Sequence, residues 1–325
     1  MAKRVYFNHD GGIDDLVSLF LLLQMKDVEI AGVSVIDADC YIEPALSASR
    51  KIIDRFGKGQ KLAVSRSDSR AKNPFPKEWR MHAFYVDALP ILNESGSVMT
   101  EEAELPAHLD LIQKLRASDE KTTLLFTGPL TDLSRALEAD PDIEEKIEKL
   151  VWMGGTFLSI GNVEEPEHDG SAEWNAYWDP EAVDAVWRSG IDIEMVVLES
   201  TNKVPLTIET RMDWAKKRSF VGLDFVGQCY AACPPLVHFQ TNSTYYLWDV
   251  LTTLSLGRPE IGSRLKLNSI VHASGPSQGK VEFHYEGRPV EVLHDVHAEK
   301  FYSYIEELAK SASEYGEEKY EANHH

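Results

Sequence analysis

Short apolar runs alternate along the chain with segments of helical periodicity. The runs that predict strands are "RVYF" (4–7), "EIAGVSVI" (29–36), "TTLLFT" (122–127), "KLVWMG" (149–154) and "IEMVVL" (193–198). The segments that predict helices include "LVSLFLLLQM" (16–25), "YIEPALSASRKIIDRF" (41–56), "TDLSRALEAD" (131–140) and "PEAVDAVWRS" (180–189). Because apolar strands alternate with helices, the pattern predicts an α/β fold with a Rossmann-like, doubly wound and mostly parallel sheet.

Other segments refine this architecture. "KVEFHY" and "PVEVLHDV" (280–296) predict a small antiparallel hairpin around "EGR". The chain has no internal repeat and no linker rich in Pro, Gly or Ser, so we expect one domain over residues 1–325. One long connection is polar and contains Trp79 (65–82), and another is rich in Pro, Thr and aromatic residues and contains Trp248 (233–251). Connections of this length predict two mobile active-site loops.

Composition narrows the function classes. The formal net charge of −20 argues against nucleic acid and anionic membranes as partners, since both require a basic face. Three cysteines are too few for a disulfide framework and indicate a reducing compartment; Cys229 and Cys233 are interpreted as packing residues on a helix. The longest apolar run (16–25) is too short to cross a bilayer, and no secretory signal is visible. We therefore expect a cytoplasmic protein, with an organelle left open.

The candidate chemistry begins at "FNHDGGIDDL" (7–16), which holds Asp10, Asp14 and Asp15. Polar or small residues also follow the other predicted strands: Asp37 and Asp39, Thr127 and Gly128, and Met153, Gly154 and Gly155. In an open parallel sheet, ligands bind beyond the carboxyl ends of the strands. The sequence therefore predicts that these residues converge on one edge of the sheet.

Three carboxylates so close together have two explanations. Asp14 or Asp15 can cap the helix that follows, because a helix N-terminus favours negative charge, but this accounts for only one acid. Three acids, with Gly11 and Gly12 freeing the backbone, fit a hard cation with oxygen ligands better.

Several known motifs that cluster acidic residues in a loop could account for this segment. An EF-hand loop needs a helix before it, and here a strand precedes. Acyl-phosphate phosphotransferases use a first Asp as nucleophile, where this chain has Asn8. No glycine-rich dinucleotide fingerprint or phosphate-binding loop is present.

"NHDGGIDD" (8–15) closely resembles the signature of the nucleoside N-ribohydrolases, Asp-x-Asp-x-x-x-Asp-Asp after the first strand. The resemblance continues in the expected order through "FTGPLTDL" (126–133), "VWMGG" (151–155), "GNV" (161–163), "AEWNAYWDPEA" (172–182) and "LWDV" (247–250). "NPFPKEWR" (73–80) and "YYLWD" (245–249) resemble the purine-specific, inosine–adenosine–guanosine subgroup. The resemblance also suggests a homodimer.

The resemblance implies a Ca²⁺-dependent hydrolase that cleaves purine ribonucleosides to free base and ribose. Ca²⁺ would be held by Asp10, Asp15, the backbone carbonyl of Thr127 and Asp249, with the ribose 2′- and 3′-hydroxyls and one water completing the shell. Asp10 would also take a proton from that water, whose acidity the metal raises. The remaining implied contacts are Asp14 on the ribose diol, Asn162, Glu173 and Asn175 on the other hydroxyls, Met153 on the sugar, and Asp39 near the base or water. Residues 173–175 are expected in a loop before the helix at Pro180.

Cleavage also needs a proton on the departing base. Pyrimidine-accepting members carry a His before the last metal-binding Asp, where this chain has Trp248. Trp79 and Trp248 are expected to sandwich the purine and to favour its protonated form through cation–π attraction. At roughly 0.5–2 kcal/mol per contact and about 1.36 kcal/mol per pKa unit, the basicity of N7 rises by about one or two units. Water or Asp39 is expected to deliver the proton, and Tyr245 is a further candidate contact to the leaving group.

The chain departs from the family pattern at two positions. Asn8 replaces the usual first Asp, and Gly12 stands where some purine-specific members carry an Asn. Two alternatives therefore stay open: a pyrimidine or broad-range hydrolase, against which Trp248 argues, and a non-catalytic nucleoside-binding protein, which Asn8 supports. His9 and His82 are interpreted as structural or loop-borne.

Overall fold

The structure is a computed structural model that describes residues 2–232 and 244–321. Within these residues, nine strands form one sheet in the order β3-β2-β1-β4-β5-β6-β9-β7-β8. The strands are β1 (Lys3–His9), β2 (Val28–Val35), β3 (Val64–Arg66), β4 (Thr122–Phe126), β5 (Ile147–Met153), β6 (Ile193–Val196), β7 (Ser263–Val271), β8 (Val281–Phe283) and β9 (Arg288–His294).

Helices connect the strands. They are α1 (Ile13–Gln24), α2 (Ile42–Phe56), α3 (His82–Asp87), α4 (Pro90–Asn93), α5 (Ala107–Arg116), α6 (Thr131–Ala139), α7 (Trp174–Trp178), α8 (Pro180–Trp187), α9 (Leu198–Thr201), α10 (Ile208–Lys216), α11 (Val221–Ala232), α12 (Trp248–Gly257) and α13 (Ala298–Glu321). Two short 3-10 helices cover Pro141–Lys146 and Pro259–Ile261. No helix in residues 2–232 or 244–321 is long and apolar enough to cross a membrane.

The parallel half of the sheet confirms the predicted α/β class. Strands β1 to β6 are all parallel and lie in the order β3-β2-β1-β4-β5-β6, which is the doubly wound Rossmann order. The chain direction across the sheet reverses between β1 and β4. A crevice forms at such a switch point, and here it opens between the ends of the strands that precede Asp10 and Thr127.

The antiparallel end of the sheet differs in detail from the prediction. β8 and β9 do not pair with each other; both pair antiparallel with β7, which lies between them, and β9 runs parallel to β6. The predicted hairpin around "EGR" was therefore wrong in its pairing, although the fold class with an antiparallel part is confirmed. The sequence analysis missed β7 because polar residues interrupt its apolar ones, so it forms no continuous apolar run, and only one of its nine residues is buried.

The two faces of the sheet bury different helices. On β1, Val5 and Phe7 pack with α1, which is buried along its whole length, whereas Tyr6 points to the opposite core. This confirms that the apolar helix at 16–25 packs against the sheet; it begins three residues earlier, at Ile13.

The predicted loops are shorter than expected. Ser65 and Arg66 belong to β3, and His82 already begins α3. In the second loop, α12 begins at Trp248, while residues 233–243, with Cys233, lie outside the described residues. Cys229 is buried on α11, as predicted for a packing residue. The mobility of both loops and the single-domain organisation stay predictions.

Candidate active site

A cavity of about 350 Å³ lies at the switch point between β1 and β4. Its volume is within the usual range for small-molecule sites. Every predicted site residue except Asp15 lines it. The lining residues are Asp10, Asp14, Asp39, Phe75, Trp79, His82, Thr127, Met153, Asn162, Glu173, Trp174, Asn175, Thr244, Tyr245, Trp248 and Asp249.

The turn between β1 and α1 places the first acids. Gly11 has φ +84°, and a Cβ there would lie 2.3 Å from the Cβ of Ala45, so both conformation and space require glycine. The next residue, Gly12, precedes the helix, and its N–H donates to the Asp15 carboxylate across 2.8 Å. Asp15 therefore caps α1, which is the alternative that explained one acid, while Asp10 and Asp14 face the cavity.

Asp14 connects this turn to α12. Its two carboxylate oxygens accept hydrogen bonds from the Tyr245 hydroxyl (2.7 Å) and from the backbone N–H of Asp249 (3.0 Å). Asp14, Asp15 and Asp249 are all buried, and each offers an oxygen within 4.8 Å of the others. Three buried carboxylates at this spacing form a donor set for a hard cation.

Asp10 lies next to this group. Its carboxyl group lies close enough to that of Asp15 for the two to interact, and it accepts the backbone N–H of Asp39 across 3.2 Å. The predicted ligands Asp15 and Asp249 thus belong, with Asp14, to the group of three closely spaced carboxylates, and Asp10 lies beside Asp15. The predicted assignment of ligands stays a prediction.

The electrostatics of the cluster call for positive charge. Burial, then the charge of Asp15, raises the pKa of Asp10 well above its usual value. Burial likewise raises the pKa of Asp15 to about 8 and raises the pKa of Asp249, where the neighbouring Asp14 adds to the effect. A cation among these oxygens would reverse these shifts, because an opposite charge favours the ionised form. The donor set therefore fits a divalent metal.

Thr127 is held close to the cluster from two sides. Its hydroxyl donates to Asp15, and its backbone carbonyl accepts the side-chain amide of Asn175 across 3.1 Å. The same amide reaches the carbonyl of Met153 at 3.0 Å. Asn175 thus ties together the ends of β4 and β5, and the Thr127 carbonyl retains a second lone pair.

Residues 173–175 were expected in a loop, and this was wrong. Glu173 caps the short helix α7, and its carboxylate accepts N–H groups of Asn175 (2.8 Å), Ala176 (3.2 Å) and, across the cavity wall, Gly155 (2.8 Å). Burial raises the pKa of Glu173 to about 7, against the effect of these donors. A helix of five residues is too short for periodicity to reveal it.

Aromatic side chains cover the rest of the cavity wall. Trp79 lies edge-on to Trp174 (ring centroids 5.4 Å apart), which stacks on Phe75 at 4.9 Å. Trp248 lies edge-on to Tyr245 at 4.7 Å. Trp79 and Trp248 are both partly exposed and line the same cavity, and Trp79 also packs against a buried cluster that contains Phe75 and Trp174.

The sequence analysis missed Phe75, Trp174 and Thr244 as lining residues. Phe75 and Trp174 lie inside the quoted motifs "NPFPKEWR" and "AEWNAYWDPEA", which was the available signal. Trp174 donates its ring N–H to the carbonyl of Asn162 (3.0 Å), and the Asn162 side-chain oxygen accepts the Trp174 backbone N–H (3.1 Å). The predicted sugar contact Asn162 is therefore held against this indole.

The two histidines differ in position. His82 is the first residue of α3 rather than loop-borne, and it lines the cavity. Burial lowers its pKa to about 4, so its ring is neutral near pH 7. His9 is fully buried in β1, stacks on Phe7 and contacts the Ser49 hydroxyl at 3.2 Å, as expected for a structural residue.

A family model described as inosine-uridine preferring nucleoside hydrolase matches residues 5–303. The chain belongs to the nucleoside hydrolase family. This confirms the family resemblance, and the protein is a hydrolase of the N-glycosidic bond of ribonucleosides.

Relatives with this fold carry different substrate names. A crystal structure of an inosine-uridine preferring nucleoside hydrolase from Bacillus anthracis is 63% identical, covers 95% of this chain and 99% of that chain, and has a TM-score of 0.91. Probable uridine nucleosidase 2 from Oryza sativa subsp. japonica is 29% identical over 79% of this chain and 75% of its own length. A purine-preferring ribonucleoside hydrolase from Gardnerella vaginalis, 21% identical with a TM-score of 0.75 over 95% of this chain and 99% of that chain, shares the fold.

Proposed function

We propose that this nucleoside hydrolase acts on purine ribonucleosides, releasing free base and ribose with Ca²⁺ bound at the acidic cluster. The observation that supports the purine preference is the pair of indoles, Trp79 and Trp248, in one cavity with the carboxylates. Trp248 directly precedes Asp249 in the cluster, so an aromatic surface adjoins the sugar end of the cavity.

The residues proposed to hold the metal are Asp10, Asp15, Asp249 and the Thr127 carbonyl. Oxygen donors without sulfur or nitrogen suit a hard cation such as Ca²⁺. When bound, the ion supplies a lowered pKa for water and an anchor for the ribose 2′- and 3′-hydroxyls.

Asp10 is proposed as the general base. It lines the cavity, and its carboxylate is oriented by the backbone N–H of Asp39. The carboxylates around the sugar also stabilise the positive charge that builds on ribose as the glycosidic bond breaks. Asp14, Asn162, Glu173 and Asn175 are proposed to hold ribose hydroxyls, with Met153 against the sugar.

Departure of the base is proposed to be assisted by aromatic stacking and by a nearby acid. Trp79 and Trp248 favour the protonated purine through cation–π attraction. Asp39 lines the same cavity and is proposed, with water, to deliver the proton, while Tyr245 contacts the leaving group. Loss of hydration raises the pKa of Asp39, and the charges of Asp10 and Asp14 raise it further, so this carboxyl group holds a proton readily.

A second candidate is a broader hydrolase that accepts inosine and uridine. It is favoured by the name of the 63% identical relative from Bacillus anthracis. His82 lies in the cavity and offers a neutral imidazole N–H to a base, which suits this candidate too.

Side-by-side release of base from inosine, guanosine, adenosine, uridine and cytidine tests the proposal. The purine proposal expects kcat/KM for the purine nucleosides to exceed that for uridine and cytidine by at least tenfold. Equal rates for inosine and uridine support the broader hydrolase instead.

Asp10→Asn should abolish turnover while nucleoside binding persists. Undiminished turnover would remove the assignment of Asp10 as the general base. If the wild-type protein binds nucleosides without hydrolysing them, the non-catalytic alternative is supported.

The proposal also includes a homodimer in the cytoplasm, both of which rest on family likeness and composition. Light scattering coupled to size-exclusion chromatography tests the dimer against the monomer mass of 36.6 kDa.

A further inference from the structure

Arg80 follows Trp79 directly and grips the turn after β2. Its Nε donates to the carbonyl of Ala38 at 3.0 Å, and its Nη2 donates to the Asp37 carboxylate and, at 3.4 Å, to the carbonyl of Cys40. One guanidinium therefore holds three acceptors of a single turn. Only its planar, forked set of donors can do this at once.

Tyr41 contacts Arg80 through both its ring and its backbone. The guanidinium carbon of Arg80 lies 4.3 Å from the centroid of the Tyr41 ring, and the Tyr41 backbone N–H donates to the Arg80 carbonyl across 3.3 Å. The Arg80 side chain is only 14% exposed. Solvent therefore screens these contacts less than it screens a surface ion pair.

The two segments joined by Arg80 each carry a residue of the active site. Trp79, one residue before Arg80, is proposed to stack on the base of the nucleoside. Asp39 lies in the turn after β2 that Arg80 contacts. Both side chains line the cavity, and no hydrogen bond joins these two described residues directly. The distance between the indole and the acid thus depends on Arg80.

We propose that Arg80 is a positioning residue that holds the Trp79 indole and the Asp39 carboxyl at one spacing across the base end of the cavity, and so sets the preference for purine leaving groups. This inference rests on the proposed function. It assigns a role in specificity to a residue that does not line the cavity itself.

The test compares two substrates that share ribose but differ in leaving group. Inosine needs both stacking and a proton on the base, whereas p-nitrophenyl β-D-ribofuranoside releases a stable phenolate that needs neither. Arg80→Ala and Arg80→Lys are measured with both substrates, together with Asp37→Asn, which removes the negative charge opposite Arg80 without changing the arginine. Thermal unfolding reports whether each variant folds.

Arg80→Ala should lower kcat/KM for inosine on the order of 10- to 100-fold, since misplacement by about 1 Å can cost that much. The change for the p-nitrophenyl riboside should be clearly smaller, because Asp14, Asp15 and Asp249 make no hydrogen bond to the turn after β2 and only Asp10 meets it, through the Asp39 backbone N–H. Arg80→Lys should recover only part of the loss, since an ammonium keeps the charge without the fork. Asp37→Asn should shift the ratio of the two substrates in the same direction.

The matched control is Arg66→Ala, which removes an arginine with two carboxylate partners, Glu43 and Glu102, outside the cavity. It should leave the substrate ratio unchanged. An equal fall for both substrates in Arg80→Ala, or full recovery of the ratio in Arg80→Lys, would overturn the positioning role. Failure of the proposed function is recognised separately in wild type, which would then either release base from uridine as fast as from inosine or release no base from inosine.

Discussion

The Asp14 carboxylate accepts a hydrogen bond from the backbone N–H of Asp249 across 3.0 Å, although 235 residues separate the two in sequence. The first turn of the fold and the start of α12 are therefore joined at the acidic cluster. Any ion bound there links the two segments and stabilises the native state beyond its effect on chemistry.

Removal of metal should lower both activity and stability. Treatment with EDTA should abolish turnover and lower the melting temperature, and added Ca²⁺ should restore both. At a free ion concentration 100 times Kd, binding adds ~2.7 kcal/mol to the free energy of unfolding. Asp249→Asn should show little shift on addition of Ca²⁺. A fully active, metal-free preparation would contradict the metal site.

Trp248→Ala should depress kcat for inosine more than it raises KM. The indole acts on the protonated base that forms during cleavage, so its loss should reduce kcat by about 2- to 30-fold, corresponding to ~0.5–2 kcal/mol. Steady-state kinetics with inosine measure this. Tyr246→Phe is the control, since Tyr246 lies near Trp248, with ring centroids 5.9 Å apart, but does not line the cavity. An effect on KM alone would make Trp248 a binding surface only.

The fold was largely predictable because local patterns determine it. Apolar strands and the Asp10 to Asp15 turn are encoded within a few neighbouring residues, and the switch point follows from strand order. Asp249 came only from the family resemblance, because no local pattern connects it to a turn 235 residues away. β7 was missed because it has no continuous apolar run, and α7 was missed because it spans only five residues.

Gly12 makes room for Asp39. A Cβ at Gly12 would lie 2.6 Å from the Asp39 Oδ2, so the acid occupies space that a side chain at position 12 would need. Gly12→Ala and Gly12→Asn should therefore displace Asp39 and lower kcat/KM for inosine. In the double variant with Asp39→Ala, the loss should not exceed that of Asp39→Ala alone, because contacting residues are not additive. Additive losses would show that the two positions do not meet.

A buried ion cluster away from the cavity predicts a dependence of stability on pH. Glu194 is almost fully buried between Lys149 and Arg264, with the Arg264 contact at 2.7 Å. Burial raises its pKa, but the two cations outweigh this and leave the pKa below its usual value of 4.5. A lowered native pKa contributes stability that is complete above the unfolded-state pKa and is lost as pH falls through the native one.

Glu194→Gln should therefore lower the free energy of unfolding at pH 7 by about 3 kcal/mol, as expected when a buried pair is broken. The difference from wild type should shrink as the pH falls below 4.5 and through the lowered native pKa, where Glu194 itself takes up a proton. Urea unfolding across this range measures both effects, with the exposed Glu102→Gln as control. A difference that stays constant with pH would rule out the charge of Glu194 as its source.

Asn8, which departs from the family signature, forms a buried pair with Asp132. The Asn8 amide donates to Asp132 across 3.0 Å and to the Ser34 hydroxyl across 2.8 Å, while Ser67 and Ser69 donate to the other oxygen of Asp132. Asn8→Asp would place two carboxylates face to face in a buried site and should destabilise the protein by ~3 kcal/mol. The exchange Asn8→Asp with Asp132→Asn restores one amide and one carboxylate. The free energy of unfolding should therefore recover, and kcat/KM should return to within about threefold of wild type.

Asp110→Asn is the control. It removes another buried carboxylate, which accepts a hydrogen bond from Tyr6 at 2.8 Å, and it should not rescue Asn8→Asp. Chemical unfolding and inosine hydrolysis of the four members of the cycle measure the coupling. A double variant as damaged as the sum of its single variants would separate Asn8 from Asp132 and leave the altered signature as a weakness of the site.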